Sequence, residues 1–423
     1  MVAPPETDGQ NGSGLLMSLV LTGGLVWDGR SEEPAEADLV VDDGRIEAVA
    51  APGTVRPGDD DVVLDLGGSI VLPGLIDMHV HLVWSGGPDP ARTVEHAGEQ
   101  VTTLRAAANA QAQLLAGVTT VRDVGSNWDI AISLARTIDR GELEGPSIIA
   151  SGRTVIMTGG HDPFWGVMAD GVDAVVAAVR GQVAAGAGVI KTAATGGAYG
   201  REEGEEVGQA ELSPAELGAL TAEAHRFGRR VAAHALGTEG IANAVAAGVD
   251  TIEHGVFLTE ELAERMAAAG TVLCPTVEIY RVIASGGGGE VPDYARAKAE
   301  AVVTAHEQSV RMALAAGVRV VAGTDAGSVL LPHPALASEL LALRSCGMSA
   351  TDVLRAATSG AAAALGRSGL GVIEPGARAD LIMVDGDPFT DTELLHRPWG
   401  VVRGGRHVRG RDRLARPVVA HIR

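Results

Sequence analysis

One unit recurs through the middle of the chain: a helix-length segment of mixed polarity closes on Ala-Gly, and a Val-rich apolar run follows. It appears as LLAGVTTVRDVG (114–125), AAGAGVIKTAATGG (184–197), AAGVDTIEHG (246–255), AAAGTVLCPTV (267–277) and AAGVRVVAGTDAG (315–327). Glycine just past the last helical turn takes the left-handed conformation without a Cβ penalty, and the run after it reads as a strand buried on both faces. SIIASG (147–152) and RRVAAHALG (229–237) share the strand half, and IVLPGLIDMHVHL (70–82) opens the series, making eight candidate parallel strands. Such alternation over about 250 residues means a doubly wound sheet or a closed (β/α)8 TIM barrel, and a count of eight favours the barrel. Ser213-Pro214-Ala215-Glu216 reads as a capping box with proline at the first helical position.

The ends have another texture. LVLTGGLVWDG, ADLVVDDGRIEAVA and DVVLDLGGSIVL are short apolar runs broken by the turn dipeptides Asp43-Gly44 and Gly67-Gly68, the pattern of a small antiparallel sheet. ADLIMVDGDP (379–388) and GVVRGGRHV (400–408) repeat it near the C-terminus. Together they predict a small composite β-sandwich domain, residues 18–72 plus 370–412, beside a barrel of residues 73–369. Residues 1–17 read as a disordered tail and 413–423 as a C-terminal tail.

Hydrophobic residues make up 46% of the 423 positions but aromatics only 3%, so the core must be aliphatic. The formal charge of −21 repels phosphate backbones and anionic lipid, which argues against nucleic-acid and membrane-surface partners. The Arg-rich stretch at 403–416 reads as a solvated strand and tail. No uninterrupted apolar run reaches the roughly 18 residues of a membrane span, and the N-terminus lacks the pattern of a secretory signal. Cys274 and Cys346 are too few for a disulfide framework or a cysteine-based zinc site. The expected setting is cytoplasmic.

His79 and His81 lie two apart on the first strand, so both imidazoles leave the same face. Lys191 falls in the fourth strand, His234 in the fifth, His254 in the sixth and Asp325 near the end of the eighth. Barrel strands converge at their C-terminal ends, where active sites of that fold sit. Neutral imidazole and carboxylate suit a borderline divalent ion such as zinc. A buried lysine is the odd member, since its ammonium would repel a cation. Two readings stand: Lys191 has reacted with CO₂ and bridges two metals as a carbamate, or it pairs with an acid beside a mononuclear site.

VLPGLIDMHVHL, VIKTAATGG, AAHALGTEG, VDTIEHG, AGTDAG and the tail GVIEPGARADLIMVDGDP (371–388) resemble, in order and spacing, the amidohydrolase superfamily of metal-dependent hydrolases. TGGH (158–161) and the ATGG after Lys191 look closest to its Xaa-Pro dipeptidase (prolidase) and imidazolonepropionase-like branch. The resemblance implies a two-metal site, with zinc as the expected ion. His79, His81 and Asp325 would hold the more buried metal, His234 and His254 the second, and N6-carboxylysine at Lys191 would bridge them. It further implies a metal-bridging hydroxide as nucleophile, Asp325 as general base and then acid, and His161 as a second oxyanion donor. Asp77, Asp123 and Glu253 are adjacent to ligands and stay unassigned, because strand alternation points Glu253 away from His254. A buried ion pair is expected of Arg122 or Asp123.

Specificity belongs to the loops after the strands. AYGREEGEEVGQAEL (198–212), acidic and Gly-rich, reads as a mobile lid, and TGGHDPFWGVMADG (158–171) supplies Phe164 and Trp165. EIYRVIASGGGGE (278–290) supplies Tyr280 and Arg281. Tyr199, Arg201, Tyr280 and Arg281 compete as contacts for a substrate carboxylate. Similar dipeptidases place a tyrosine shortly after the sixth-strand histidine; Phe257 stands there instead, which weakens strict prolidase activity against general amide hydrolysis. The expected reaction is hydrolysis of the C–N bond of a small amide, a dipeptide or N-acyl amino acid, in an enzyme that forms a homo-oligomer. The alternatives are a mononuclear cyclic-amide hydrolase of the imidazolonepropionase type or a deaminase. Deaminases of the superfamily carry His-x-x-Glu, whereas Glu239 lies five after His234. A non-catalytic scaffold would have lost ligands, and all six are here.

Overall fold

The computed structural model describes residues 18–200 and 202–410, so the tails expected at 1–17 and 413–423 lie outside the described residues. Both chain ends enter one hydrogen-bonded sheet. Leu19–Val26, Ala35–Asp42, Arg45–Ala50, Val62–Asp65 and Ile70–Pro73 join Leu381–Val384, Gly400–Arg403 and Arg406–Arg409. The joint is Ile70–Pro73, antiparallel to Leu381–Val384. Asp43 and Gly44 both have positive φ (43° and 75°), as a two-residue hairpin turn demands. The purely antiparallel sheet expected here is corrected: Leu19–Val26 runs parallel to Val62–Asp65 and Ile70–Pro73, because the chain returns there by crossovers rather than hairpins. Leu21, Leu39, Ile46, Leu381, Met383 and Val402 form its apolar filling.

The middle of the chain alternates parallel strands with helices. Leu75–Val80, Val118–Asp123 and Ser147–Ala150 make one parallel set. Val155–Ile156, Val189–Ala193, Arg230–Ala235, Thr251–His254 and Val272–Cys274 make another. The sets meet twice. The Gly188 N–H donates to the Ala150 carbonyl, and the segment 319–326 bridges Leu273 through Val320 and Val80 through Ala326. The eighth expected strand is therefore present as pairing but is not a regular strand. Thr324 and Asp325 both donate N–H groups to the His79 carbonyl, a bend that interrupts the ladder. Gly117, Gly186, Gly248, Gly270 and Gly317 of the recurring unit have φ between 73° and 107°, the left-handed stop that starts each strand. Ser213 accepts from Glu216 N–H and Glu216 reaches back, completing the capping box. No described helix is long and apolar enough to cross a membrane.

Because the strands run parallel, residues near their C-terminal ends gather on one side of the molecule. That side carries the candidate site.

Candidate metal centre

His79, His81, Lys191, His234, His254 and Asp325 line a single cavity, together with His161 and Tyr280. The four strand histidines and Lys191 are each at most 5% exposed. Ring centroids lie 5.3 Å apart for His79–His81, 5.0 Å for His79–His254 and 4.7 Å for His234–His254. The nearest Asp325 carboxylate oxygen is 3.2 Å from His81 Nε2 and 3.8 Å from His79 Nε2. His79, His254 and Asp325 offer donor atoms within 4.8 Å of one another. His254 and Asp325 have φ of 71° and 62°. Non-glycine residues in that region cost of order 1–3 kcal/mol and persist where surrounding structure enforces them.

That left-handed turn at His254 is what the alternation argument missed. Glu253 also faces inward, fully buried, and His79 Nδ1 sits 2.7 Å from its carboxylate. Arg122 donates to both Glu253 oxygens (2.7 and 2.8 Å), to Thr251 Oγ1 and to the Met78 carbonyl, the buried ion pair expected of it. Glu253 thus orients His79. Asp77 does not orient an imidazole; it accepts the Thr324 hydroxyl (2.8 Å) and N–H (3.1 Å), clamping the bend that presents Asp325. Asp123 accepts the Leu82 N–H. His81 Nδ1 lies 3.1 Å from the Gly125 carbonyl and His254 Nδ1 2.7 Å from Thr276 Oγ1. In all three histidines Nδ1 is engaged, which leaves Nε2 for the cavity. Cys274 is buried behind Glu253 as core.

Electrostatics favour ligand-competent imidazoles. Burial, then neighbouring positive charges, holds His79, His234 and His254 well below the usual histidine range, so their lone pairs are free of protons. His81 goes the other way: burial lowers it, but the hydrogen bond and charge of Asp325 raise it overall. His234 Nε2 is buried with no hydrogen-bond partner. Among the described residues no acid forms an ion pair with Lys191. An orphaned imidazole nitrogen, neutral neighbours and a carboxylate are a donor set that fits divalent cations, provided the lysine is not left as an ammonium.

His161 stacks on His234 with ring centroids 3.9 Å apart. Its Nδ1 is 2.6 Å from Glu205 and its Nε2 3.4 Å from Asp162, while its N–H donates to Glu211. Burial alone would lower it; the charges of Asp162, Glu205 and Glu211 push it up to about 9. Glu211 is pushed up to about 7 by burial. The stretch expected as a mobile lid lies against the cavity in this structure, with Lys298 Nζ donating to the Glu205 carbonyl and Tyr294 OH to that of Gly200. The acidity of this stretch was visible in the sequence; its partner, 44 residues upstream, was not. Of the rim glycines, Gly159 takes a left-handed turn (φ 82°). Gly160, Gly196 and Gly197 are instead places where a Cβ would strike Glu211, Glu206 and His161.

The substrate-contact expectations divide. Tyr199 and Tyr280 line the cavity. Trp165 packs behind His81 (ring centroids 4.8 Å apart) with its indole N–H on Thr154, and so serves as a wall. Phe164 lines an adjoining outer pocket. Phe257 does not line the cavity, because its backbone pairs with Leu236 and Thr238 and holds it beside Gly208. Arg281 is bound to Glu307 and Ser345. Arg201 lies outside the described residues. Trp84, Asp162 and Glu205 are site residues the sequence did not single out; no periodicity marks them.

A solved Xaa-Pro dipeptidase with methionine bound in its active site superposes with a TM-score of 0.86 at 32% identity, over 93% of this chain and all of that one. Ochratoxinase of Aspergillus niger is 30% identical over 81% of this chain and 76% of its own length. Imidazolonepropionase of Saccharopolyspora erythraea is 28% identical over 86% and 89%. The amidohydrolase family profile covers residues 70–408, from the strand that pairs with Leu381–Val384 to the last strand described, and the chain belongs to that family, as a metal-binding hydrolase of carbon–nitrogen bonds.

Proposed function

We propose that the parallel strands close as a (β/α)8 barrel, with residues 18–72 and 370–412 as its accessory β-domain, and that the barrel mouth hydrolyses the amide C–N bond of a small substrate such as a dipeptide or N-acyl amino acid. The observation that carries this reading is Lys191, buried in one cavity with His79, His234 and His254, which are held neutral, and forming no ion pair among the described residues. A cation there would be costly and unpaired. The ammonium first loses a proton; the free amine then adds to CO₂, forming an N–C bond, opening one C=O π bond and releasing a second proton, which leaves a carbamate with one negative charge shared by two oxygens. His79, His81 and Asp325 would then hold one divalent ion, His234 and His254 a second, and carboxylated Lys191 both. Zinc is the expected metal.

When bound, such ions supply Lewis acidity and bring the pKa of water towards about 7. Asp325 accepts the proton of the attacking water and returns it to the departing amine; at 15% exposure its side chain is the most accessible of the acids touching these histidines. His161, fixed through Nδ1 by Glu205, donates to the oxyanion that develops on the carbonyl. Glu253 and Thr276 keep His79 and His254 from turning.

The test is metal content per chain in protein purified without chelator, for wild type and Lys191→Ala, with and without formate or acetate. About two divalent ions in the wild type, lost in the variant together with several orders of magnitude in kcat and partly restored by the short acid, is the expected result. One ion retained in Lys191→Ala would overturn the binuclear reading and direct the search to cyclic amides.

A further inference from the structure

The cavity among the candidate ligands is about 40 Å³, room for a few waters or the scissile group but not for a whole substrate. The rest of the substrate must lie outside it. Immediately outside is a pocket of about 570 Å³ that shares Trp84 and Tyr199 with the inner cavity. The chain has only twelve aromatic side chains (five Trp, four Phe, three Tyr), and five line this one pocket: Trp84, Trp128, Phe164, Tyr199 and Tyr294. Chance would scatter them, and an aliphatic core needs none of them here.

The pocket is also built. Trp84, Phe164 and Tyr199 pack at mutual centroid distances of 5.6–5.7 Å, two pairs edge-on and one stacked. Tyr199 donates its hydroxyl to Asp89, the residue that caps the Pro90–Leu115 helix. Asn127 donates to the Phe164 carbonyl and ties two rim segments together. Trp128 stands 45% exposed on the rim with φ of 51°, followed by Asp129 at 56°. A bulky side chain held in water on a left-handed backbone is costly twice over, in strain and in exposed apolar surface. A ligand ring laid against the indole would offset the second cost. The charges nearby are Asp89 and Glu95 against Arg92, which does not favour an anionic ligand.

We propose that this outer pocket binds an uncharged aromatic substituent of the amide substrate, one or two fused rings in size, and that it sets specificity for aryl amides. The proposal rests on the amide-hydrolase reading above, so its test has two arms. In the first, calorimetry measures naphthalene-2-methanol, which has no bond to hydrolyse, against cyclohexylmethanol. The aromatic alcohol binds at least fivefold tighter to the wild type, Trp128→Ala loses about fivefold to tenfold of that affinity, and Trp128→Phe keeps it within about twofold, in line with one lost aromatic contact. In the second arm, kcat/KM is compared for N-(2-naphthoyl)glycine, glycine 2-naphthylamide and N-acetylglycine. At least one naphthyl amide exceeds the acetyl compound tenfold, and that ratio falls in Trp128→Ala. Equal binding of the two alcohols, or affinity unchanged in Trp128→Ala, overturns the proposal whatever the second arm gives. Ring binding that depends on Trp128 without cleavage of any amide upholds the aromatic site and overturns the amide reading instead.

Discussion

His79 and His161 are both buried imidazoles on the wall of one cavity, both bonded through Nδ1 to a glutamate, and their environments drive them in opposite directions. His79 is held well below the usual histidine range and His161 rises to about 9. Burial lowers both; the positive charges of Lys191, His81 and Arg122 lower His79 further, whereas the negative charges of Asp162, Glu205 and Glu211 more than reverse it at His161. Glu253 is neutralised by Arg122, which also bonds Thr251 and Met78, so His79 meets a balanced ion pair delivered by strands. Glu205 comes from a stretch without regular structure, and Asp162 and Glu211 add further negative charge. A strand-borne network yields a neutral ligand, and a loop-borne one yields a cation beside it. One side of the cavity is suited to holding a metal and the other to meeting negative charge that forms on a substrate.

Removing the guanidinium tests the strand side most severely. Arg122→Ala leaves Glu253 buried and unpaired, and breaking a buried pair from one side costs about 3–5 kcal/mol. Urea unfolding of Arg122→Ala is expected to show that loss, with metal content falling as well. A shift under about 1 kcal/mol would mean that the ion pair does not brace this side.

Two glycines give a matched pair of smaller perturbations. A Cβ on Gly323 would press on Cys274 Sγ and on the His79 backbone nitrogen, neither of which can swing aside. The three atoms nearest a Cβ on Gly197 all belong to the His161 ring, so the strain would fall on that side chain and its bond to Glu205 rather than on the backbone of a strand. Gly323→Ala is therefore expected to cost roughly 1–3 kcal/mol and to weaken metal binding. Gly197→Ala should cost less stability than Gly323→Ala while lowering kcat roughly tenfold or more, if His161 is the oxyanion donor proposed above. Equal stability losses in the two would erase the distinction between the sides. Glu205→Gln keeps the shape but loosens the Nδ1 bond; a drop of about tenfold in kcat, with metal content and KM little changed, is its expected mark.

Legibility followed the same division. The recurring Ala-Gly-strand unit exposed the parallel strands because each glycine must stop a helix and each strand must be apolar on both faces. It also put His79, Lys191, His234 and His254 at corresponding ends of those strands. Glu253 was misplaced because alternation assumes extended backbone, and His254 with φ of 71° leaves it. Glu205 and Trp84 were out of reach for another reason: loop residues obey no period, and their partners are fixed by how loops pack over the strand ends. The parallel pairs of Leu19–Val26 were missed because turn dipeptides mark hairpins but say nothing about crossovers.

The smallest expected effect falls far from either side and serves as the control for both. Ser213 accepts the Glu216 N–H at the start of Pro214–Arg226, and Glu216 is held below the ordinary carboxylate value of 4.5, first by its hydrogen bond to Ser213. Ser213→Ala should cost about 1 kcal/mol, the usual worth of an N-cap, and leave metal content and kcat unaltered. Because the folded value of Glu216 is depressed, its contribution is present above pH 4.5 and fades as the pH falls below it. The difference in melting temperature between wild type and Ser213→Ala should therefore narrow on the acid side of that value. If this variant lost activity in the same proportion as Gly197→Ala, loss of activity would report general loosening of the fold, and the separate roles of the strand side and the loop side could not be maintained.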